Sequence, residues 1–287
     1  MKIAVIMPVY NEKDNIEDTL RALFNSSEQP SEVIVVDGGS NDGTQKIIRT
    51  KFPTVKLMNN PRRTAASGRN VGIKNTKADI IAFTDGDCIV DKDWIKNIRL
   101  SFENNEIDGV GGKVLNAQPI NHYEEYWGKL AWTLIMNFPD SPYMVREQKL
   151  NDAFVTANCA YKRKVLVQIK GFNNWFANNA EDVDLCWRAL KAGAKLMYDP
   201  SVIIYAHNVT TLKGIAKKSF RNGVSSSKLQ KVYGGKFNYD PGIYKMLGKN
   251  IVGVLKREKD AGLNVVELTS HLAGKYYGSV KSHVINI

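Results

Sequence analysis

One stretch decides how the rest of the chain is read: Ile80–Cys88, with the sequence IIAFTDGDC. Its apolar half predicts a buried strand, and that strand leads into two aspartates separated by one glycine. In open α/β sheets, ligands bind at the carboxyl ends of the strands. Asp85 and Asp87 would offer oxygen ligands there, and such a pair suits a divalent cation that carries a phosphate. On these residues alone, a strand followed by an ordinary Asp-Gly turn is an equally good interpretation.

The segments around this stretch alternate between apolar strands and amphipathic helices. In the first 115 residues, further strands are predicted at 2–9, 32–37, 55–58 and 107–115, and helices at 15–25, 44–52, 64–75 and 91–102. This alternation predicts an α/β fold with a Rossmann-like, mostly parallel central sheet and helices on both faces. Asp37 ends the second strand, so its carboxylate should lie at the same sheet edge as Asp85.

Beyond residue 115 the pattern is weaker and more aromatic. We expect a helix around 122–136 followed by a loop, an extended segment at 154–161, helices at 163–169 and 181–191, and strands at 195–198 and 202–206. The remaining C-terminal residues show amphipathic helical patterns. We therefore divide the chain into residues 1–115, residues 116–210 and a helical C-terminal region, residues 211–287.

The composition is that of an ordinary globular protein, with 43% hydrophobic and 24% charged residues among 287. The three cysteines, Cys88, Cys159 and Cys186, are far apart, which favours reduced thiols over a disulfide framework or a zinc site. The apolar start is too short for a signal peptide, and no run reaches the ~18 apolar residues of a membrane span. These features predict a cytoplasmic protein.

The positive charge is concentrated in the C-terminal region. From Lys213 onward there are 14 basic and four acidic residues, within a net charge of +11 for the whole chain. Nucleic-acid-binding proteins interleave basic residues with stacking aromatic ones, and this pattern does not. Its lysines lie beside apolar helical positions such as Ile243, Leu247, Ile251 and Leu255, which is typical of helices on an anionic membrane surface. Helices packed on the protein with solvated basic faces fit equally well, so peripheral association with the cytoplasmic face of a membrane is a prediction.

Five short motifs give the sequence a resemblance to glycosyltransferase family 2 over residues 1–210. They are PVYNE at 8–12, VDGGSNDGT at 36–44, GRNVG at 68–72, DGD at 85–87 and EDVDLCWR at 181–188, in the order and approximate spacing of that family. The resemblance implies the GT-A fold, in which a nucleotide-binding half is fused to an acceptor-binding half. It also implies inverting transfer of a sugar from a UDP- or GDP-linked donor to an acceptor hydroxyl, with Mn²⁺ or Mg²⁺ as cofactor.

The resemblance also implies roles for individual residues. The nucleoside pocket would be lined by Pro8, Tyr10, Glu12 and Asp37. Arg69 would reach the base or the diphosphate, because a guanidinium fork suits phosphate geometry. Asp85 would contact the ribose, and Asp87 would bind the metal that neutralises charge on the leaving diphosphate. His207 would be a second metal ligand, although a lone histidine is more often structural.

Asp182 is the candidate general base. A carboxylate opposite the leaving group can take the proton of the acceptor hydroxyl late in an oxocarbenium-like transition state. A free aspartate has a pKa of about 3.9, and the neighbouring Glu181 and Asp184 should raise it. Acids at a helix N-terminus also complement the helix dipole, so a structural interpretation stays open. Glu181 and Asn158 would lie on the acceptor side, and Arg188 should pair with Asp184 along the helix.

One departure from the family's motifs limits the class of acceptor that we expect. Its polyprenyl-phosphate mannosyl- and glucosyltransferases carry Asp-Ala-Asp followed by Leu-Gln-His-Pro, whereas Asp87 is followed here by Cys88–Asp91, CIVD. We therefore expect a glycan or a carrier-linked sugar as acceptor. Two other functions compete with sugar transfer. A strand ending in Asp-x-Asp also occurs in haloacid-dehalogenase-like, Mg-dependent phosphotransferases, and the basic region would suit a non-enzymatic membrane or nucleic-acid adaptor.

Overall fold

The structure is a computed structural model that describes residues 1–103, 106–136, 138–148, 152–177, 179–234 and 241–284. The chain forms two compact units. The first is built from residues 1–118 and 130–207, and the second from residues 119–129 and 208–287.

The first unit is organised around a single mixed sheet. Its strands are β1 (Ile3–Val9), β2 (Glu32–Asp37), β3 (Lys56–Asn59), β4 (Ile80–Phe83), β5 (Cys88–Val90), β6 (Gly109–Asn116), β7 (Tyr143–Val145), β8 (Cys159–Lys162) and β9 (Leu196–Ala206). They lie in the order β3-β2-β1-β4-β8-β6-β9-β5, and β7 pairs with β9. β1 to β4 are parallel, whereas β8 runs antiparallel to β4 and β6. The predicted α/β architecture is confirmed, with antiparallel pairs added where β8 separates β4 from β6.

Helices alternate with the strands and then make up the C-terminal region, as predicted. They are α1 (Ile16–Phe24), α2 (Thr44–Lys51), α3 (Ala65–Lys74), α4 (Trp94–Glu103), α5 (His122–Gly128), α6 (Arg163–Gln168), α7 (Glu181–Lys191), α8 (Leu212–Tyr233), α9 (Pro241–Leu255) and α10 (Ala261–Ser282). A π-helical segment, Lys129–Ile135, continues α5. In the part of the chain that the structure describes, no helix has the length and apolar character needed to cross a membrane.

Helices cover both faces of the sheet, because successive side chains of a strand point to opposite sides. Ile3, Val5 and Met7 of β1 are buried in one core with residues of α1, α2 and α4. On the other face α3 lies close to β1, and a Cβ built at Gly72 would be 2.5 Å from Cγ2 of Ile6. A glycine inside this helix therefore lets α3 approach the sheet.

The structure differs from the sequence prediction at four strands. β8 begins at Cys159, whereas the extended segment is predicted from residue 154. β5 and β7 have three residues each, which is too short to leave a periodic pattern. β9 runs through residues 199–201, where two separate strands are predicted, because it stays paired with β6 across a register shift between Gly112 and Lys113.

The second unit is helical. α8 and α10 pack backbone to backbone, and a Cβ built at Gly223 would lie 2.1 Å from the carbonyl oxygen of His271. α5 belongs to this unit through the buried Glu124, whose carboxylate accepts from the backbone N–H groups of Asn208 and Ile120, each at 2.9 Å. The sequence predicts a single helix over 122–136, and the structure divides it into α5 and the π-helical segment.

Candidate functional site

The turn between β4 and β5 carries the two aspartates of Asp85–Asp87. The fully buried hydroxyl of Thr19, on α1, donates to the carbonyl oxygen of Gly86 at 3.0 Å. A Cβ built at Gly86 would lie 2.9 Å from Cγ1 of Val9 and 3.1 Å from Cγ of Glu12. Position 86 therefore has room for glycine alone, and neighbours on both sides hold the turn in place.

β5 brings the two predicted metal ligands together. It pairs with the end of β9 through Cys88 and Ala206, and His207 donates its backbone N–H to the carbonyl oxygen of Asp87 at 3.2 Å. The carboxylate of Asp87 is a type of ligand that suits Mn²⁺ or Mg²⁺. Among the residues that the structure describes, no group of three or more His, Cys, Asp or Glu side chains could hold a metal ion. A cation at Asp87 would therefore need further ligands from a substrate or from water.

Glu12 adds a third carboxylate at this sheet edge. Burial raises the pKa of Glu12 to about 7, against a hydrogen bond from Asn15 (3.0 Å) and with additional repulsion from Asp87 and Asp85. Carboxylates that raise one another's pKa are stabilised by a nearby cation. Asp87 and Glu12 thus offer carboxylate oxygens, the type of ligand that a divalent cation takes, but too few side chains to hold one without other ligands.

Asp37 lies at the end of β2 and shapes the loop that follows. It is 1% exposed. Its carboxylate accepts from the backbone N–H groups of Gly39 and Ser40, at 2.9 and 3.0 Å, and from the side chain of Gln45 at 2.7 Å. A contact between Asp37 and a nucleoside stays a prediction.

The loop after β1 is tied to the loop after β2. The backbone N–H of Glu12 donates to the hydroxyl of Thr44 at 2.9 Å. Tyr10 remains half-exposed, and a Cβ built at Gly38 would lie 3.4 Å from its ring. Pro8 lies below this loop against α3. The edge therefore presents an accessible aromatic ring beside a rigid polar loop.

Arg69 links the turn after β4 to the start of α7. Its guanidinium is buried and donates to Asp85 at 2.7 Å and to Glu181 at 2.8 Å. It also lies over the ring of Phe172, 5.5 Å from the centroid. Burial opposes the charge of Arg69, but the two carboxylates outweigh this and hold its pKa above the usual value. The family resemblance predicts contact with the base or the diphosphate, and the structure instead gives Arg69 two carboxylate partners.

Glu181 and Asp182 begin α7, directly after Ala180 in the left-handed conformation (φ 66°). Glu181 is 5% exposed, and Asp182 is partly buried with one oxygen accepting from the Val183 N–H at 2.9 Å. Burial raises the pKa of both carboxyl groups, while the positive charge of Arg69 opposes the rise. The raised pKa of Asp182 thus comes mainly from burial, and the smaller repulsion comes from Asp85. The sequence predicted repulsion from Glu181 and Asp184 as the cause.

Two residues of the same region are structural. Asp184 is buried and paired with Arg188 at 2.6 Å, which agrees with the predicted helix pair. Asn158 is fully buried, and its side chain accepts from Trp94 at 2.8 Å and donates to the carbonyl oxygens of Lys113 and Val202 at 2.9 and 2.8 Å. These contacts correct the expectation that Asn158 lies on the acceptor side, because its amide is used within the core.

Three contributors to the site were not found from the sequence. Thr19 and Phe172 lie in segments whose apolar spacing indicates only a helix and a loop, and their partners are far away in the chain. Arg63 is exposed, and its guanidinium would lie 3.4 Å from a Cβ built at Gly39, beside the loop after β2. A basic residue between β3 and α3 is the only signal that could have indicated Arg63.

Comparison with known proteins gives the family. The model of the family described as Glycosyl transferase family 2 matches residues 4–169, more than half of the chain. The chain belongs to glycosyltransferase family 2. This glycosyltransferase is 31% identical over 227 residues to Glycosyltransferase AglE of Haloferax volcanii, across 77% of this chain and 71% of that protein. The chain is therefore an enzyme, and the phosphotransferase and adaptor interpretations are set aside.

Solved structures of other glycosyltransferases share the GT-A fold of this family 2 enzyme. Mannosyltransferase PcManGT from Pyrobaculum calidifontis, in complex with GDP-Man and Mn²⁺, gives a TM-score of 0.65 at 17% identity over 96% of this chain and 86% of that one. TarS 1–349 of S. aureus, in complex with UDP, gives 0.57 at 16% identity over 99% and 92% of the two chains. At these identities the likeness shows the fold alone.

Proposed function

We propose that this glycosyltransferase moves a sugar, with inversion, from a UDP- or GDP-linked donor to a hydroxyl of a glycan or a carrier-linked sugar. The observation that carries the proposal is the double ion pair of Arg69. One buried guanidinium joins Asp85, at the donor edge, to Glu181, next to the candidate base Asp182. A displacement with the nucleophile and the leaving group in line needs this kind of fixed geometry.

On the donor side we assign the nucleoside pocket to Pro8, Tyr10, Glu12, Asp37 and Asp85. The half-exposed ring of Tyr10 offers a surface for the base, and the partly exposed carboxylate of Asp85 offers an acceptor for ribose hydroxyls. Arg69 acts as a positioning residue that orients Asp85. The complexes of PcManGT with GDP-Man and of TarS with UDP support a nucleotide-linked donor.

We assign the metal, Mn²⁺ or Mg²⁺, to Asp87 and His207. When bound, the cation supplies positive charge to the diphosphate as it leaves. The presence of Mn²⁺ in the PcManGT complex supports this assignment, as does the cluster of carboxylates that includes Glu12. Few protein ligands are needed, because Mg²⁺ and similar cations take oxygens from substrate phosphates.

Asp182 accepts the proton of the attacking acceptor hydroxyl. The Val183 N–H engages Oδ1, so we assign the proton to Oδ2. Burial raises the pKa of Asp182, which makes its carboxylate a stronger base than a solvated one. Glu181, held by Arg69, fixes the first turn of α7 and with it the direction of Asp182.

The proposed location of the enzyme depends on the kind of acceptor. An acceptor sugar on a lipid carrier would be reached from the cytoplasmic face of a membrane, where the basic C-terminal region would be drawn to anionic lipid. A glycan acceptor in the cytoplasm would need no such surface. No nucleic acid is involved in either case.

A thermal-shift panel with UDP, GDP, CDP and dTDP, each with and without Mn²⁺, tests the donor assignment. At about 100 times its Kd, a nucleotide that binds only the folded state adds about 2.7 kcal/mol of stability. We expect stabilisation by UDP or GDP that depends on Mn²⁺. Equal stabilisation by all four nucleotides, or none by any of them, would contradict the proposal.

A further inference from the structure

α9 is apolar but poorly covered. Met246, Ile251, Val252 and Val254 are 46–54% exposed, and Leu255 is 80% exposed. Isolated apolar residues on a surface are ordinary, but contiguous apolar patches mark interaction sites. The second unit therefore presents an apolar surface within a single helix.

Most apolar side chains of α9 lie on one side of the helix, whereas the exposed Met246 and Val252 lie beside its lysines on the other. At 3.6 residues per turn, Leu247, Ile251, Val254 and Leu255 fall within an arc of about 100°. The basic residues of the helix and its C-terminal end lie on the opposite side: Lys245, Lys249 and Lys256. This is the arrangement of a helix whose apolar side enters a membrane interface while its basic side stays in water.

A third side of α9 packs within the second unit. A Cβ built at Gly253 would lie 3.1 Å from Cβ of Ala261, and Asn250 accepts from the Asn264 side chain at 2.8 Å. Tyr244 falls within the apolar arc and contacts Tyr276 of α10, with 3.1 Å between the hydroxyl oxygens. α10 therefore covers the N-terminal part of the apolar side, whereas Ile251, Val254 and Leu255 in its C-terminal part stay exposed.

The length and the charge of α9 indicate the kind of partner. Fifteen residues make a helix of about 22 Å, which is shorter than the ~30 Å hydrocarbon core, so α9 can lie in a bilayer surface but not span it. A second copy of the chain would carry the same net charge of +11, which opposes association at low salt. An anionic lipid surface complements the lysines of α9.

We propose that α9 is an interfacial membrane anchor. Leu247, Ile251, Val254 and Leu255 enter the headgroup region of an anionic bilayer, and Lys245, Lys249 and Lys256, on the side that faces water, add positive charge that attracts the anionic surface. The proposal deepens the proposed function and rests on it only for the expectation of a membrane-linked acceptor.

Flotation of the full chain with vesicles tests this anchor. We expect the wild-type chain to float with phosphatidylcholine vesicles that contain phosphatidylglycerol at low salt. We expect binding to fall at high salt and with pure phosphatidylcholine. Ile251→Ser/Leu255→Ser should lose at least tenfold in vesicle affinity. Lys245→Gln/Lys249→Gln/Lys256→Gln should lose about 100-fold, since each lysine contributes about fivefold.

Matched variants show that the effect belongs to α9. Leu100→Ser/Val167→Ser removes two exposed apolar side chains of the first unit, which are 48% and 54% exposed. A triple Gln variant at exposed positions of that unit, Lys46, Lys77 and Lys96, removes the same charge. Both controls should float like the wild type.

Three results would overturn the proposal: no flotation of the wild type, unchanged flotation of both α9 variants, or equal loss in the controls. A wild-type dimer that Ile251→Ser/Leu255→Ser converts to a monomer, without flotation, would instead identify α9 as a contact between copies. Nucleotide binding, measured by thermal shift without vesicles, reports separately on sugar transfer, since the α9 variants should retain it.

Discussion

The guanidinium of Arg69 lies 2.8 Å from the carboxylate of Glu181, although the two residues are 112 positions apart. Both side chains are buried. The contact fixes the start of α7 to α3, and the other nitrogen of the same guanidinium fixes Asp85 at 2.7 Å. One residue therefore sets the distance between the donor edge and the candidate base.

Arg69→Lys should damage both stability and transfer. An ammonium cannot bond both carboxylates in the geometry of the planar fork, so one of them loses its partner. We expect a loss of about 2–3 kcal/mol in the free energy of unfolding and a fall of about 100-fold in transfer rate. Denaturant unfolding and single-turnover assays measure the two effects. Arg21→Lys, in the exposed pair with Glu17, should change neither, and a fully active Arg69→Lys would contradict the positioning role.

Asp182→Asn should remove the base and leave the nucleotide site intact. We expect transfer to fall by about 10²–10⁴-fold, the usual contribution of general base catalysis. The affinity for the nucleotide, measured by calorimetry, should stay within about twofold of the wild type. Asp184→Asn on the same helix is the control, because loss of its pair with Arg188 should lower stability by about 1–3 kcal/mol without removing transfer. If Asp182→Asn keeps most of its activity, another residue is the base.

The pH dependence of kcat/KM should show the raised pKa of Asp182. The base acts only when deprotonated, so activity falls as the pH drops through its pKa. Burial raises that pKa, and we therefore expect the acid limb above the value of about 3.9 for a free aspartate. Steady-state rates across a pH series define the acid limb of the kcat/KM profile. Binding of the nucleotide is measured in parallel. An acid limb at or below pH ~4 would mean that Asp182 is not desolvated in the working enzyme.

Asp87→Asn should uncouple nucleotide binding from the metal. The wild type should bind its nucleoside diphosphate at least tenfold more tightly with Mn²⁺ than with a chelator, and the variant should lose most of that difference. Calorimetry with and without Mn²⁺ measures it. Asp91→Asn, just beyond β5, is the matched control and should retain the Mn²⁺ effect. Retention of the full effect by Asp87→Asn would remove the metal assignment.

Thr19→Val should loosen the turn that holds both aspartates. Valine keeps the shape of threonine, but the carbonyl oxygen of Gly86 loses the buried hydroxyl that bonds it at 3.0 Å. We expect a loss of about 1–2 kcal/mol in stability and a higher KM for the donor. Thr19→Ser retains the hydroxyl and should restore the KM. An unchanged KM in Thr19→Val would show that the turn keeps its shape without this bond.

Local pattern was enough for much of the fold. β2 and α7 begin and end at the predicted residues, and β1, α1 and α3 do so within one or two residues, because apolar periodicity is a property of neighbouring residues. That Asp37 and Asp85 follow parallel strands at the same edge of the sheet also came from strand–helix alternation, but the position of β1 between these two strands did not. β5 was not predicted, because three residues are too few to show a period. The backbone pairing of His207 with Asp87, which depends on β5, was therefore not predicted either.

The sequence by itself therefore determined the family, the parallel strands that end in aspartates and the acidic start of α7. Only the tertiary structure decided which groups meet. It joined Arg69 to Asp85 and Glu181, buried Asn158 in the core, and left α9 with its apolar side exposed. The reason is physical: periodicity depends on residues a few positions apart, whereas these contacts depend on the order of strands in the sheet and on which helix faces find a partner.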